Sequence, residues 1–135
     1  MQKLQCVQNS AARILIGANK RQHITPVLRD LHWLPVDYRV RYKLLLLTHK
    51  ALNGTAPQYL RDLLSAHTTG RSLRSSEQNL LSVPRTNLTR YGDRAFSVAA
   101  PTLWNVLPCN LRNTKSLAAF KRDLKTYLFT LAFAH

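Results

Sequence analysis

Six carboxylates, Asp30, Asp37, Asp62, Glu77, Asp93 and Asp123, are the acids of the chain, and no two lie closer than seven residues apart. A two-metal polymerase or nuclease centre needs several carboxylates converging on hard cations. The adjacent aspartates usual in polymerases are absent, so these acids read as solvated groups on helix faces and loops. His23, His32, His49, His67 and His135, with Cys6 and Cys109, give no CxxC, HxxxH or CCHC spacing and so no metal site. There is no GxSxG, no GxGxxG and no phosphate-binding P-loop. Cys109, in Leu107-Pro108-Cys109-Asn110, has nothing to mark a partner base and reads as an inert thiol. No catalytic residue, metal or cofactor is therefore expected.

The basic side chains remain. Twenty Lys and Arg against six acids give a net charge of +14 over 135 residues, which points to a polyanion, either nucleic acid or an anionic membrane surface. Thirteen of the twenty are arginine, whose planar fork matches phosphate. Five lie in one polar stretch: Arg71, Arg74, Arg85, Arg90 and Arg94. Three more, Arg39, Lys43 and Lys50, fall on one stripe of a helix. These eight are the candidate nucleic-acid contacts, holding phosphate without reading sequence. Aromatic residues adjoin basic ones at Tyr38-Arg39, Arg41-Tyr42-Lys43, Arg90-Tyr91 and Arg94-Ala95-Phe96. Such neighbours suit base stacking on single strands, and equally suit a core edge.

No apolar run reaches the length of a membrane span; the longest block is Leu44-Leu45-Leu46-Leu47. The first eight residues have no apolar signal-peptide core. The expectation is an intracellular protein, cytoplasmic or nuclear and not secreted, with no membrane partner. In that setting Cys6 and Cys109 are free thiols.

The elements that must carry these residues are helices. Leu4, Val7, Ala11, Ile14 and Leu15 fall at helical spacing and predict a helix over 2–16, with Gly17 as its stop. Thr25-Pro26 reads as the cap and first turn of a short helix that ends before Leu34-Pro35. Pro35 opens the longest helix, to about Asn53, with Gly54 after it. Val36, Val40, Leu44, Leu47 and Ala51 form one apolar face, and Tyr38, Tyr42, Leu45, His49 and Leu52 a second. Arg39, Lys43 and Lys50 lie between the two, so this helix is expected to be central with one wet seam. Ala56-Pro57 starts another short helix with Tyr59, Leu60, Leu63 and Leu64 inward.

Residues 65–94 read as a polar, Arg-rich loop segment, a length that in a compact domain is usually functional. Within it, Leu80-Leu81-Ser82-Val83 reads as a short strand pairing near Ala95-Phe96-Ser97-Val98. A short helix follows with Trp104 inward and Pro101 near a start or kink. Ser116 caps a last helix to about Phe133, whose apolar face is Leu117, Phe120, Leu124, Tyr127, Leu128 and Leu131. Trp33 and Trp104, each in an apolar block beside a proline, are both expected to be buried. The fold class is mainly α, a single domain of five or six helices with at most a small β-hairpin. It comprises a helical half over 1–64, the Arg-rich segment over 65–94 and C-terminal helices over 95–135.

Several blocks also occur in a telling order. They are Leu4-Gln5-Cys6-Val7-Gln8-Asn9-Ser10-Ala11-Ala12-Arg13, His23-Ile24-Thr25-Pro26-Val27-Leu28, Leu31-His32-Trp33-Leu34-Pro35-Val36 and Lys50-Ala51-Leu52-Asn53-Gly54-Thr55-Ala56-Pro57-Gln58-Tyr59-Leu60. Then come Arg71-Ser72-Leu73-Arg74-Ser75, Val83-Pro84-Arg85-Thr86, Gly92-Asp93-Arg94-Ala95-Phe96-Ser97-Val98-Ala99-Ala100-Pro101, Leu103-Trp104-Asn105 and Phe120-Lys121. This order resembles the C-terminal region downstream of the reverse transcriptase domain in non-LTR (LINE-type) retrotransposon polyproteins, of the jockey-like and chicken-repeat-like kind. The resemblance covers nearly the whole chain. It implies a parent protein with an endonuclease and an RNA-directed DNA polymerase, both upstream of Met1, and a truncated tail that begins at an internal methionine. No motif of either enzyme matches a position here, so no catalytic residue carries over. The cysteine–histidine knuckle of some LINE families has no counterpart here either. For this region the resemblance implies RNA or target-DNA handling.

The expected function is therefore a non-catalytic nucleic-acid-binding accessory domain, with RNA or DNA as an electrostatic partner of low sequence specificity. The alternative is a helical module that docks on the upstream polymerase domain and has no activity of its own. Exposed apolar residues on the first helix distinguish the second from the first.

Overall fold

The computed structural model describes residues 2–68, 78–86 and 92–134. The chain is mainly α-helical. Among the described residues it forms α1 (Gln2–Ile16), α2 (Ile24–Asp30), α3 (Val36–Leu52), α4 (Gln58–Arg61), α5 (Phe96–Val106), α6 (Cys109–Arg112) and α7 (Leu117–Phe133). A single 3₁₀ turn, Gly92–Arg94, precedes α5. The single turn α6, after Pro108, is the element that the hydrophobic periodicity did not announce.

Helix ends follow local chemistry. After α1, the Gly17 amide donates to the Ile14 carbonyl and the Ala18 amide to Arg13; after α3, Gly54 donates to Ala51 and Thr55 to Lys50. Both are Schellman stops with glycine in the left-handed region, at φ 64° and 72°. α2 ends the same way with a histidine there. His32 has φ 54°, and the Trp33 amide reaches the Leu28 carbonyl at 2.8 Å. The His32 ring lies stacked on Phe129, centroids 5.6 Å apart. α2 starts at Ile24, ahead of the expected Thr25 cap. Pro26 then sits in the first turn, where a missing N–H costs no helical bond. Ser116 caps α7 as expected, its hydroxyl accepting from the Ala119 amide at 3.5 Å.

Two compact units make up the chain: Met1–Tyr42 with Leu124–His135, and Lys43–Asp123. The boundaries between the units fall inside α3 and α7. In the first unit Ala12, Val27 and Leu28 are buried together, edged by Ile24, Leu31, Trp33 and Phe133. Trp33 thus packs at the rim of this core and is largely, though not fully, buried.

α1 is a helix as predicted, and its apolar stripe is turned away from the core. Leu4, Val7, Ile14 and Leu15 face solvent, Ile14 at 81% exposure, while Gln8 is buried at 7%. The reason lies at the Leu34-Pro35-Val36 joint. The Gln8 amide donates to the Leu34 carbonyl at 2.8 Å, and the Val36 amide, unpartnered within α3, donates to Gln5 Oε1 at 2.8 Å. Gln5 Nε2 in turn donates to Gln8 Oε1 and Asn9 Oδ1. A buried backbone group without a partner is costly, so the glutamine face goes inward. Gln8→Ala is expected to destabilise the chain by about 1–3 kcal/mol in a denaturant melt, because it orphans the Leu34 carbonyl. An unchanged midpoint would show that water already serves that carbonyl.

In the second unit the rings of His49, Trp104 and Phe120 cluster, with His49 stacked on Phe120 at a centroid distance of 4.1 Å. Trp104 is 1% exposed, as expected. His49 Nε2 donates to the Thr114 carbonyl at 2.7 Å, a bond that requires the proton on Nε2. Leu45, Leu46, Ala51, Val98, Leu107 and Leu111 are also buried in this unit. Burial of Leu46, which lies within the Arg39–Lys43–Lys50 stripe, means the seam is wet at Arg39 and Lys43 and half-covered at Lys50. Of the apolar set at α4, Leu60 and Leu64 are half-buried while Tyr59 and Leu63 are exposed.

Residues 80–83 do not pair with 95–98 as expected, since Phe96–Val98 opens α5. Leu81 instead forms a single antiparallel bridge with Ala66. Its backbone is also held by a side chain of α5. Asn105 Oδ1 accepts from the Leu81 amide at 2.9 Å and Asn105 Nδ2 donates to the Leu81 carbonyl at 2.8 Å. That amide satisfies the ladder groups a second strand would have used.

Candidate nucleic-acid interface

Five of the eight candidate contacts lie among the described residues: Arg39, Lys43, Lys50, Arg85 and Arg94. Arg71, Arg74 and Arg90 lie outside them, as does Tyr91. Arg85 and Arg94 are both exposed, and a hydrogen bond draws their neighbourhoods together. Thr86 Oγ1 donates to Asp93 Oδ1 at 3.1 Å, so Arg85 and Arg94 each adjoin one partner of a clasp between Thr86 and Asp93. Gly92 makes the close approach possible. A Cβ placed there would stand 2.8 Å from Thr86 Cβ, nearer than two carbons can pack. Asp93 then lies in the 3₁₀ turn that delivers Arg94 to the start of α5.

The clasp residues Thr86, Gly92 and Asp93 are what sequence reasoning missed. The only local signal was a Gly-Asp pair just before an apolar helical pattern. Gly92→Ala is expected to open the clasp and so speed tryptic cleavage after Arg85 and Arg94. Cleavage at the parent rate would show that the clasp does not restrain these residues.

On α3, Arg39 and Lys43 are one turn apart and exposed, and neither has an ion-pair or hydrogen-bond partner among the described residues. The neighbouring Arg41 is engaged. It pairs with Asp37 at 2.8 Å and its guanidinium lies 5.1 Å from the Tyr38 ring centre. Tyr38 is half-buried and its hydroxyl donates to the Leu131 carbonyl at 3.4 Å. Tyr42 and Phe96 are likewise half-buried, so of the aromatic neighbours described none stands free as a stacking platform.

The remaining charge is little compensated. Two ion pairs occur among the described residues, Arg41–Asp37 and Arg122–Asp123 at 2.9 Å. The bond to Asp123 and its charge raise the Arg122 pKa above the ordinary arginine value. Exposed pairs of this kind add little stability. Of the other acids, Asp93 is held by Thr86, and Asp62 accepts from Gln58 Nε2 at 3.0 Å. The first unit carries eight basic residues to two acids and the second twelve to four, so both are strongly positive.

Among the described residues no three His, Cys, Asp or Glu stand close enough together to hold a metal ion. Cys6 and Cys109 are free and exposed. No helix among the described residues is long and apolar enough to cross a membrane. Comparison of the chain with protein-family models, with curated proteins and with solved structures finds no match.

Proposed function

We propose that this chain is a non-catalytic nucleic-acid-binding domain that holds RNA or DNA through phosphate contacts, with low sequence specificity. The observation that carries the reading is the excess of exposed cations with no ion-pair partner among the described residues: Arg39 and Lys43 on α3, and Arg85 and Arg94 at the clasp. Such a surface lowers the free energy of a polyanion mainly by releasing its counterions. The resemblance to the tail of LINE-type polyproteins supports the same reading, as an accessory region of an RNA-directed DNA polymerase protein acting inside the cell. The test is a titration of the purified chain against single- and double-stranded RNA and DNA of several sequences at one ionic strength. Saturable binding that varies little with sequence is expected. Binding to one sequence alone would replace phosphate holding with base readout.

The apolar stripe of α1 favours a second reading, a module that docks on another protein. Its occupant would be an apolar surface rimmed by acids. α1 has Lys3 and Arg13 and no acid, and the first acid of the chain is Asp30, so a second copy would set like charges together. Leu4→Gln with Ile14→Gln removes the stripe. Nucleic-acid affinity should survive that change, and under the second reading alone there would be none to survive.

A further inference from the structure

The second unit contains a cavity of about 280 Å³ that the phosphate-backbone reading does not use. Small-ligand pockets begin at roughly 300 Å³, so this one suits a small molecule or the end of a chain. Its wall is pinned on several sides. The Trp104 indole Nε1 donates to the Asn79 carbonyl at 2.9 Å, and Asn79 Nδ2 donates to Asn113 Oδ1 at 2.7 Å. Asn79 is held at φ 48°, a left-handed conformation that asparagine tolerates better than most residues.

Two cations line the cavity, Arg112 and Lys115, and among the described residues no carboxylate does. Arg112 is only 9% exposed. Its Nη1 donates to the Asn105 carbonyl at 2.9 Å, while its buried Nε has no partner and no acid pairs with it among the described residues. A buried guanidinium without a counter-charge is expensive, and its fork is the geometry that meets an oxyanion with two parallel bonds. The lining also includes apolar side chains, Leu52, Leu81 and Trp104.

We propose that this cavity binds an organic phosphate monoester. The phosphate pairs with Arg112 and Lys115, and the organic body lies against Leu52, Leu81 and Trp104. Two cations, with no acid beside them among the described residues, match a group that carries up to two negative charges near neutral pH. The phosphate could belong to a free nucleotide or to the 5′ end of a strand, and the two sources are separable.

The experiment is calorimetric titration of the full chain with adenosine 5′-monophosphate, adenosine, inorganic phosphate and acetate at moderate salt. The monophosphate should bind at one site, phosphate more weakly, and adenosine and acetate not measurably. Lys115→Ala and Arg112→Lys should each weaken the monophosphate about tenfold, the scale of a lost charged hydrogen bond. Lys121→Ala, exposed on α7, removes the same charge elsewhere and should leave it unchanged. Lys115 is exposed, so its variant tests the site even where the Arg112 variant does not fold. A 5′-phosphorylated oligonucleotide that gains over its unphosphorylated twin assigns the site to strand ends, and no gain assigns it to free nucleotides. Adenosine binding as well as the monophosphate, equal losses for Lys115→Ala and Lys121→Ala, or no saturable binding would overturn the proposal. Unphosphorylated duplex DNA binding alone reports on the phosphate-backbone reading, so the two fail separately.

Discussion

Trp104→Ala is expected to cost about 3–5 kcal/mol, the scale of truncating a fully packed aromatic residue. Trp104 is the largest fully buried side chain of the protein. It contacts two other rings, at centroid distances of 6.4 Å from His49 and 5.9 Å from Phe120. Its indole N–H also satisfies the Asn79 carbonyl. Alanine therefore leaves a cavity among the rings and an acceptor without its donor, two losses of different kind at one position. Urea melts followed by circular dichroism measure the cost. Trp104→Phe keeps most of the volume but loses the N–H and one ring, so it should fall between the parent and the alanine variant. A loss below about 1 kcal/mol for the alanine variant would be the signature of a surface residue and would contradict the packing described for α5.

The second large effect concerns salt. Replacing Arg85 and Arg94 by alanine should flatten the dependence of log K on log salt by up to ~1.8 on duplex DNA, about 0.9 for each lost phosphate contact. Arg39→Ala with Lys43→Ala should do the same from α3. Lys121→Ala with Lys125→Ala takes away equal charge from exposed positions of α7 and should lower affinity slightly with the slope unchanged. Comparison of the three double variants separates phosphate contact from mere net charge. Equal small effects from all three would reduce the basic residues to solubilising groups, and a change confined to one pair would locate the strand on that pair.

Much of the helical framework was legible because its signals are local. Gly17 and Gly54 end helices by their own backbone freedom, Ser116 caps from its own side chain, and Trp104 lies in a dense apolar block. The inward face of α1 was not legible. Its stripe of Leu4, Val7, Ile14 and Leu15 is as regular as a core stripe, yet the decision was made by two backbone groups about thirty residues away, the Leu34 carbonyl and the Val36 amide. Leu81 illustrates the same limit. Its sequence reads as a strand, but its partners are one bridge to Ala66 and the Asn105 amide, neither of which a period-two pattern encodes. At the candidate interface, composition named the basic residues but could not pair them. Arg85 and Arg94 are related only through the Thr86–Asp93 bond. Arg112 drew no notice, because a single arginine after an apolar run looks like surface until the turn at α6 buries it.

The central claim is that exposed arginines and lysines hold phosphate, and the salt slope of the intact chain on a short duplex measures it most directly. The four exposed cations Arg39, Lys43, Arg85 and Arg94 predict a slope of about −3.6, at 0.9 for each phosphate neutralised. Binding that persists with a slope near zero, or no saturable binding at low salt, would contradict it.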